Sequence, residues 1–162
     1  MEKVALFVDV QNVYYTTKQA FNCNFDYNAF WKTATHNREV VKATAFAIER
    51  GDEKQKQFQN ILRAIGFEVK LKPFIQRADG SAKGDWDVGI TLDVMEYAPS
   101  VDTVVLVSGD GDFDQLVDRI RSKYQLAVEV YGVEQLTASS LIRAASKFVP
   151  IEKALLLERG RG

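Results

Sequence analysis

The sequence predicts an α/β fold in which helices cover both faces of a mostly parallel β-sheet. Short apolar segments rich in β-branched residues alternate with segments of helical periodicity, which is the pattern of consecutive βαβ units. The runs 4–8 and 104–107 contain apolar residues only, as central strands buried on both faces should. We therefore predict a three-layer α/β/α domain.

Five strands are predicted, over residues 3–9, 40–48, 67–72, 102–108 and 126–131. The first and the fourth contain the two continuous apolar runs. In the third, residues 68–72 alternate between polar and apolar, and their charges suit an edge strand because they discourage pairing with another chain.

Helices are predicted in the intervals between these strands. Residues 12–36 are rich in aromatic side chains, and we expect two helices there, near 12–20 and 26–35. In three later intervals, apolar residues recur at the spacing that places them on one face of a helix. These sets are Phe58, Ile61, Leu62 and Ile65; Val88, Leu92 and Met95; and Phe113, Leu116, Val117 and Ile120. A last helix is expected over about 137–147.

Length and composition are those of an ordinary globular domain. The chain has 162 residues, of which 46% are hydrophobic and 27% charged, enough to bury one hydrophobic core. The net charge is -1, so no general positive field favours tight, non-specific binding of nucleic acid. This does not exclude an enzyme that contacts a polyanion through a local basic rim.

The cysteine and histidine content excludes two classes of site. Cys23 is the single cysteine, so no intrachain disulfide can form, and Cys23 with the single His36 cannot build a Cys/His zinc site. No apolar run approaches the ~20 residues of a membrane span, and no signal-peptide pattern precedes the first strand. We expect a cytoplasmic protein without a membrane partner. Nothing in the sequence predicts its oligomeric state, and a homodimer is left open.

Four aspartates fall where predicted strands end or predicted helices begin: Asp9, Asp87, Asp110 and Asp112. In a parallel α/β sheet, ligands bind in the crevice beyond the carboxyl ends of the strands. Carboxylates that converge there repel one another unless a cation lies among them, and a hard cation such as Mg²⁺ or Mn²⁺ prefers oxygen ligands. The pattern predicts a divalent-metal site that acts on a phosphoester.

The first acidic motif is Asp9-Val10-Gln11-Asn12, directly after the first strand. A carboxylate that ends a buried strand needs a partner, so we interpret Asp9 as a metal ligand. Asn12 has two interpretations at this stage. It either orients a water or a phosphate, or it is the N-cap of the first helix.

The second acidic motif, residues 108–115, combines two glycines with three aspartates. The glycines allow the backbone to turn sharply and to approach a ligand closely. Asp110 is predicted to be a metal ligand, and Asp112 to be both a ligand and, with a glutamine three residues later, a cap of the next helix. Ser108 is a candidate substrate contact, whereas the helix dipole suffices to explain Asp114.

The third acidic motif covers residues 83–88 and carries two more aspartates. Asp85 is a candidate N-cap of the helix that follows, which would place Asp87 in its first turn, near the strand ends. Asp93 lies six residues after Asp87 and therefore about 120° away from it around the helix. Asp87 is the preferred ligand, and Asp93 remains a second candidate.

A loop-like segment, residues 76–84, is expected to flank this site. Within it, Arg77 and Lys83 are candidate substrate-binding residues, because a chain with almost no net charge must contact phosphates locally. The alternative is a solvated loop that makes no contact with substrate. At the other extreme of the chain, residues 158–162 are expected to be a frayed, disordered tail.

Other catalytic classes lack their motifs. The chain has no Gly-x-Ser-x-Gly elbow and no evident acidic partner for its histidine, so a nucleophilic triad is not predicted. Neither a Walker A sequence nor Gly-x-Gly-x-x-Gly follows the first strand, so a nucleotide cofactor is not indicated. A phosphatase of the Asp-x-Asp type is disfavoured because Gln11 occupies the position of its second aspartate.

Taken together, the three motifs resemble the NYN domain family, a branch of the PIN-like ribonucleases. The opening Asp-x-x-Asn of that family is present at Asp9 to Asn12. Its Lys-Gly and Asp-Val motif is present at 83–88 with Asp93 as the later aspartate, and its Ser-Gly-Asp-x-Asp-Phe motif at 108–113. The motifs stand in the order of the family, and the resemblance covers about residues 3–150.

The resemblance implies a PIN-like sandwich, with residues 1–157 as one domain and a five-stranded parallel sheet in the order 3-2-1-4-5. In that order strands 1 and 4 are neighbours, so Asp9 and Asp110 would lie side by side at the switch point. It also implies an endoribonuclease that depends on Mg²⁺ or Mn²⁺ and cuts single-stranded or unpaired RNA. The catalytic residues would be Asp9, Asn12, Asp87, Asp110 and Asp112, with Asp85, Asp93 and Asp114 leaving the exact ligand set open. The alternative is a non-catalytic RNA-binding or regulatory module that keeps the acidic pocket as a Mg²⁺ site.

Overall fold

The computed structural model describes residues 1–73, 75–76, 82–83 and 85–158, with side chains for 1–73 and 85–158. Its strands are β1 (Glu2–Asp9), β2 (Arg38–Glu49), β3 (Glu68–Pro73), β4 (Ile75–Gln76), β5 (Ala82–Lys83), β6 (Thr103–Val107), β7 (Ala127–Gly132) and β8 (Lys147–Pro150). Its helices are α1 (Val10–Phe21), α2 (Tyr27–Thr35), α3 (Glu53–Ile65), α4 (Asp87–Tyr97), α5 (Asp114–Tyr124) and α6 (Ser139–Ala144). None of these described helices is long and apolar enough to cross a membrane.

Within the described part of the chain, the main sheet has six strands in the order β3-β2-β1-β6-β7-β8. Each neighbouring pair in it is parallel. The short strands β4 and β5 form a separate antiparallel ribbon. The α/β class and the parallel sheet are therefore confirmed, whereas the expected number of five strands is wrong.

The strand of the main sheet that the sequence did not reveal is β8, at the edge beside β7. The ribbon strands β4 and β5, which overlap the segment 76–84 expected to be a loop, were not predicted either. Strand β8 has four residues, too few for an alternating pattern, and the helix expected over 137–147 overlapped its start. That helix, α6, has only six residues, because the chain becomes extended at Ala145. Pro150 is tolerated at the end of β8 because an edge strand has one side without hydrogen-bonded partners. The order of the other five strands corresponds to the expected 3-2-1-4-5.

Helices cover both faces of the main sheet. Alternate residues of β1 point to opposite sides, as in any strand. Val4, Leu6 and Val8 pack into a buried cluster with residues of α1, α2 and α3. Ala5 and Phe7 pack into a second cluster with residues of α4, α5 and α6. The sheet thus separates two hydrophobic layers.

The buried face of α4 differs from the predicted one. Ile90 and Val94 are buried, whereas Val88 and Leu92, which were expected to line the packed face, are 71% and 64% exposed. The helix carries apolar residues around most of its circumference, so their spacing could not identify the side that faces the sheet.

Because the strands are parallel, their carboxyl ends lie along one edge of the sheet. The connection that leaves β1 leads to β2 on one side, and the connection that leaves β6 leads to β7 on the other side. The chain therefore diverges between the neighbouring strands β1 and β6. A crevice at such a switch point is the usual ligand site of a doubly wound sheet.

Candidate metal centre and active site

Three segments that begin helical turns supply the acidic residues of the switch point. The first is the start of α1, the second is the loop 108–113 after β6, and the third is the start of α4. The first two begin side by side, because Val8 and Val107 are paired in the sheet. The first turn of a helix leaves backbone N–H groups without partners, and aspartates are favoured there because their side chains accept those hydrogen bonds.

Asp87, Asp110 and Asp112 form a carboxylate triad. One carboxylate oxygen from each lies within 4.8 Å of the other two. Asp87 and Asp110 are partly buried, and Asp112 is exposed. Asp110 also accepts a hydrogen bond from the backbone N–H of Asp112 at 2.9 Å, which holds these two residues in one tight turn. We refer to these three residues below as the triad.

Asp9 lies behind the triad and is not a member of it. Its side chain is 8% exposed. Asp9 is the N-cap of α1, where its Oδ1 accepts a hydrogen bond from the backbone N–H of Asn12 at 3.4 Å. Of the four aspartates predicted to share one pocket, the structure therefore brings three into a compact group and sets the fourth into the wall beside them.

Ser108 connects Asp9 to the triad. The side chain is fully buried, and its hydroxyl donates a hydrogen bond to Asp9 Oδ2 at 3.0 Å. The hydroxyl oxygen of Ser108 also accepts a hydrogen bond from the backbone N–H of Asp110 at 3.2 Å. The predicted role of Ser108 as a substrate contact does not fit this burial, because the hydroxyl is used to position two carboxylates.

Asn12 is not the N-cap of α1, since Asp9 occupies that position. The Oδ1 atom of Asn12 accepts a hydrogen bond from the backbone N–H of Gly109 at 2.8 Å, which ties α1 to the loop after β6. In the part of the chain that the structure describes, the amide nitrogen of Asn12 has no hydrogen-bond partner. Its two N–H groups are thus available as donors at the edge of the site.

The start of α4 is held by Asp85 and Trp86. Asp85 Oδ1 accepts a hydrogen bond from the backbone N–H of Asp87 at 3.3 Å, but Asp85 is not the predicted N-cap of α4, because Trp86 occupies that position. The indole N–H of Trp86 donates to the carbonyl oxygen of Ala47 at 2.8 Å, and its ring packs against Phe46 with centroids 5.3 Å apart. Trp86 thereby anchors the start of α4 to β2 and fixes where Asp87 enters the site.

The remaining candidate residues do not join the triad. Asp93 forms an ion pair with Lys70 at 2.6 Å, which accounts for its charge. Asp114 is the first residue of α5, as the helix dipole favours. Arg77 and the side chain of Lys83 lie outside the described residues, as do the tail residues 159–162.

Burial and mutual repulsion raise the pKa of two carboxyl groups at the site. Burial raises the pKa of Asp9 to about 6, although hydrogen bonds from Ser108 and Asn12 act in the opposite direction. Burial, together with the charges of Asp110 and Asp85, raises the pKa of Asp87 to about 7. Such shifts are expected where several carboxylates meet without a cation between them.

Close packing against another segment accounts for the two glycines of the loop after β6. Gly109 and Gly111 have ordinary negative φ angles. A Cβ atom on Gly109 would lie 2.9 Å from the carbonyl oxygen of Leu136, and one on Gly111 would lie 2.8 Å from the Cβ of Ala138. The glycines therefore let the loop pack closely against residues 136–138.

The donor set of the triad fits a hard divalent cation. All three members offer carboxylate oxygens, the ligands that Mg²⁺ and Mn²⁺ prefer. Among the described residues, no lysine, arginine or histidine forms an ion pair with the triad or with Asp9. A bound cation would offset the repulsion that the raised pKa values report.

Sequence reasoning overlooked two features that position the site. The first is the anchoring of Trp86, for which the one available signal was an aromatic residue between two aspartates of the third motif. The second is the packing of residues 136–138 against the two glycines, a contact between segments more than 25 residues apart. No local pattern predicts a contact of that kind.

The chain resembles other proteins over most of its length. The sequence model of the NYN domain matches residues 3–152. The low amplitude and bright protein LabA of Synechococcus elongatus is 25% identical over 157 residues, which cover 92% of this chain and 83% of LabA. A crystal structure of a protein of unknown function from Vibrio parahaemolyticus is 62% identical with a TM-score of 0.92, and the match covers 96% of each chain.

A more distant structure shares the fold alone. Ribokinase from Giardia lamblia has a TM-score of 0.51 at 13% identity, over 93% of this chain and 58% of the ribokinase. Likeness at that identity reflects a common α/β architecture and says nothing about activity. The family match, in contrast, spans almost the whole sequence and all three acidic motifs. The chain belongs to the NYN domain family, which is part of the PIN-like nuclease superfamily.

Proposed function

We propose that this protein is a divalent-metal-dependent endoribonuclease that cuts single-stranded or unpaired RNA at the triad. The observation that supports this most strongly is the triad itself, three carboxylate oxygens within 4.8 Å of one another. The triad lies at the switch point of the sheet, and none of its members has an ion-pair partner among the described residues. Membership of a family within the PIN-like nuclease superfamily supports the same reaction.

Asp87, Asp110 and Asp112 would hold the cation, which we propose to be Mg²⁺ or Mn²⁺. When bound, such an ion supplies Lewis acidity for a phosphoryl oxygen and lowers the pKa of a water, so no histidine base is required. The hydrogen bond from the Asp112 backbone N–H holds the Asp110 carboxylate in the turn that also carries Asp112. The three ligands thus come from two segments, the loop after β6 and the start of α4.

Asp9 and Asn12 would act beside the cation. The hydroxyl of Ser108 holds Asp9, whose pKa of about 6 allows it to take up or release a proton near neutral pH. Asn12 is fixed through its Oδ1 by Gly109, and its N–H groups can donate to a phosphate oxygen. We propose that Asp9 adds negative charge to the metal site and that Asn12 orients the phosphodiester.

Cleavage of labelled RNA tests this proposal directly. Purified protein is incubated with a single-stranded RNA carrying a label at each end, in Mn²⁺, in Mg²⁺ or in EDTA. We expect cleavage within the strand with either ion and none in EDTA. Asp110→Asn should abolish cleavage while the fold is retained, because it removes a ligand charge but keeps the shape of the side chain.

Asp114→Asn is the matched control for this experiment. Asp114 is four residues from Asp110 and also lies in a first helical turn, but it is outside the triad. The Asp114→Asn variant should cleave RNA at the rate of the wild type. Tight RNA binding without cleavage in any metal would instead favour the non-catalytic binding module.

A further inference from the structure

Two neighbouring tyrosines on α1 expose their rings to solvent. Tyr14 and Tyr15 are each 51% exposed, and their rings meet edge to face with centroids 5.5 Å apart. The side of α1 that packs on the sheet is formed by Val13 and Thr17 instead. Neither tyrosine belongs to a hydrophobic core cluster, so core packing does not explain them.

These rings lie close to the candidate active site along the chain. Asp9 is the N-cap of α1, and Asn12, in the first turn, is bonded to the loop after β6. Tyr15 follows Asn12 by three residues, which is a rise of about 4.5 Å along the helix and a rotation that keeps it near the same side. Tyr15 therefore begins about one helical turn from Asn12 and on the same side of α1, whereas Tyr14, two residues after Asn12, is rotated about 160° from it.

Positive charge accompanies both rings. The Lys18 ammonium lies 5.8 Å from the centroid of the Tyr14 ring. The Arg50 guanidinium lies 3.4 Å from the Tyr15 hydroxyl. Arg50 directly follows β2, so it comes from the same carboxyl edge of the sheet as Asp9. Exposed aromatic rings beside cations are the combination with which proteins bind single-stranded nucleic acid, by stacking on bases and attracting phosphates.

Other exposed apolar side chains lack this combination. Ile61 on α3 and the pair Val88 and Leu92 on α4 are comparably or more exposed. They are aliphatic, so they offer no flat ring on which a base could stack. The coincidence of two exposed rings and two cations is what distinguishes the α1 surface.

We propose that Tyr14, Tyr15, Lys18 and Arg50 form a base-stacking platform that holds single-stranded RNA while its phosphodiester reaches the triad. This inference rests on the proposed function and names the residues that would hold its single-stranded substrate. In duplex RNA the bases are stacked on one another and cannot be laid on a protein ring, so a duplex cannot use the platform. The platform also explains how a chain with a net charge of -1 could retain a polyanion beside an acidic site.

RNA binding in EDTA tests the platform without requiring cleavage. Fluorescence anisotropy compares the wild type with Tyr14→Ala/Tyr15→Ala, using a short single-stranded RNA, its duplex and an abasic strand of equal length. Removing a stacked base–ring contact weakens binding by about 5- to 150-fold. We expect a loss in that range for the single strand, and little change for the duplex or the abasic strand.

Three further variants separate stacking from other effects. Tyr14→Phe/Tyr15→Phe keeps the rings and should bind the single strand almost as the wild type does. Ile61→Ala removes a large side chain of similar exposure, 54%, from α3 and should leave binding unchanged. Lys18→Ala should reduce the dependence of affinity on salt by about one phosphate contact, which the tyrosine variants should not do.

The outcomes distinguish this inference from the proposed function. If the double alanine variant binds single-stranded RNA as tightly as the wild type, the platform is refuted and the nuclease proposal is unaffected. Equal losses for the single strand and the abasic strand would also refute it, because stacking requires a base. If the wild type binds RNA through the tyrosines but never cleaves it, the platform stands and the nuclease proposal fails.

Discussion

Replacing Asp9 by asparagine should remove part of the pH dependence of stability in the metal-free protein. The pKa of Asp9 rises from 3.8 to about 6 on folding, mainly because the side chain is buried. A shift of that size corresponds to about 3 kcal/mol. Since the folded-state pKa is the higher one, the folded protein keeps the proton between these two values while the unfolded chain releases it. The contribution of Asp9 to stability is therefore greatest below pH 3.8 and is lost as the pH rises through about 6.

Urea unfolding in EDTA at several pH values measures this effect. Between about pH 4.5 and pH 8, ionisation of Asp9 should lower the free energy of unfolding of the wild type by about 2 kcal/mol. Asparagine cannot ionise, and its Oδ1 can still accept the capping hydrogen bond from Asn12. Over this pH range, we therefore expect the free energy of unfolding of Asp9→Asn to fall by about 2 kcal/mol less than that of the wild type.

The difference between the two proteins isolates Asp9 from the other titrating groups. Asp114→Asn, an exchange of the same chemistry outside the triad, should follow the wild-type profile. Saturating Mg²⁺ at pH 8 should stabilise the wild type, since the cation offsets the repulsion. Parallel pH profiles for the wild type and Asp9→Asn would refute the argument that burial of Asp9 costs stability.

Three further outcomes are expected. Because burial and neighbouring charges raise the pKa of Asp87 to about 7, protons should compete with Mg²⁺ for this carboxylate below that pH. Half-maximal thermal stabilisation should therefore need a higher Mg²⁺ concentration at pH 6 than at pH 8. Equal Mg²⁺ concentrations at the two pH values would contradict this. Gly109→Ala places a Cβ 2.9 Å from the Leu136 carbonyl oxygen and should lower the free energy of unfolding in urea by about 1–3 kcal/mol. An unchanged free energy of unfolding would show that the loop moves to accommodate the methyl group. If Arg77 and Lys83 form a basic rim, Arg77→Ala with Lys83→Ala should weaken RNA binding and reduce its salt dependence, and unchanged values would place the rim elsewhere.

The sequence predicted the central part of the fold because that part depends on local patterns. The continuous apolar runs of β1 and β6 are buried, as their composition required. Strand β8 escaped prediction because four residues are too few for periodicity and its pairing with β7 is set by tertiary packing. The buried face of α4 was predicted wrongly because apolar residues lie on most sides of this helix, so their spacing does not identify the face that packs on the sheet.

The acidic residues were predictable as a group, but their division of roles was not. Strand ends and helix starts placed Asp9, Asp87 and Asp110 at the same edge of the sheet. Whether a carboxylate joins the triad or stands behind it depends on side-chain hydrogen bonds such as those of Ser108, which link residues about 100 positions apart. The same holds for Asn12, which is not the N-cap of α1 and instead accepts a hydrogen bond from Gly109.

Calorimetric titration of Mn²⁺ into the metal-free protein tests most directly whether the triad is a cation site. We expect one ion per chain in the wild type and in Asp114→Asn, with proton release that increases as the pH falls towards the pKa of Asp87. Asp110→Asn should lose at least tenfold in affinity, because it removes one of three charged ligands whose oxygens lie within 4.8 Å. Equal Mn²⁺ affinity in Asp110→Asn and the wild type, or no binding to the wild type, would contradict the account of this site as a metal centre.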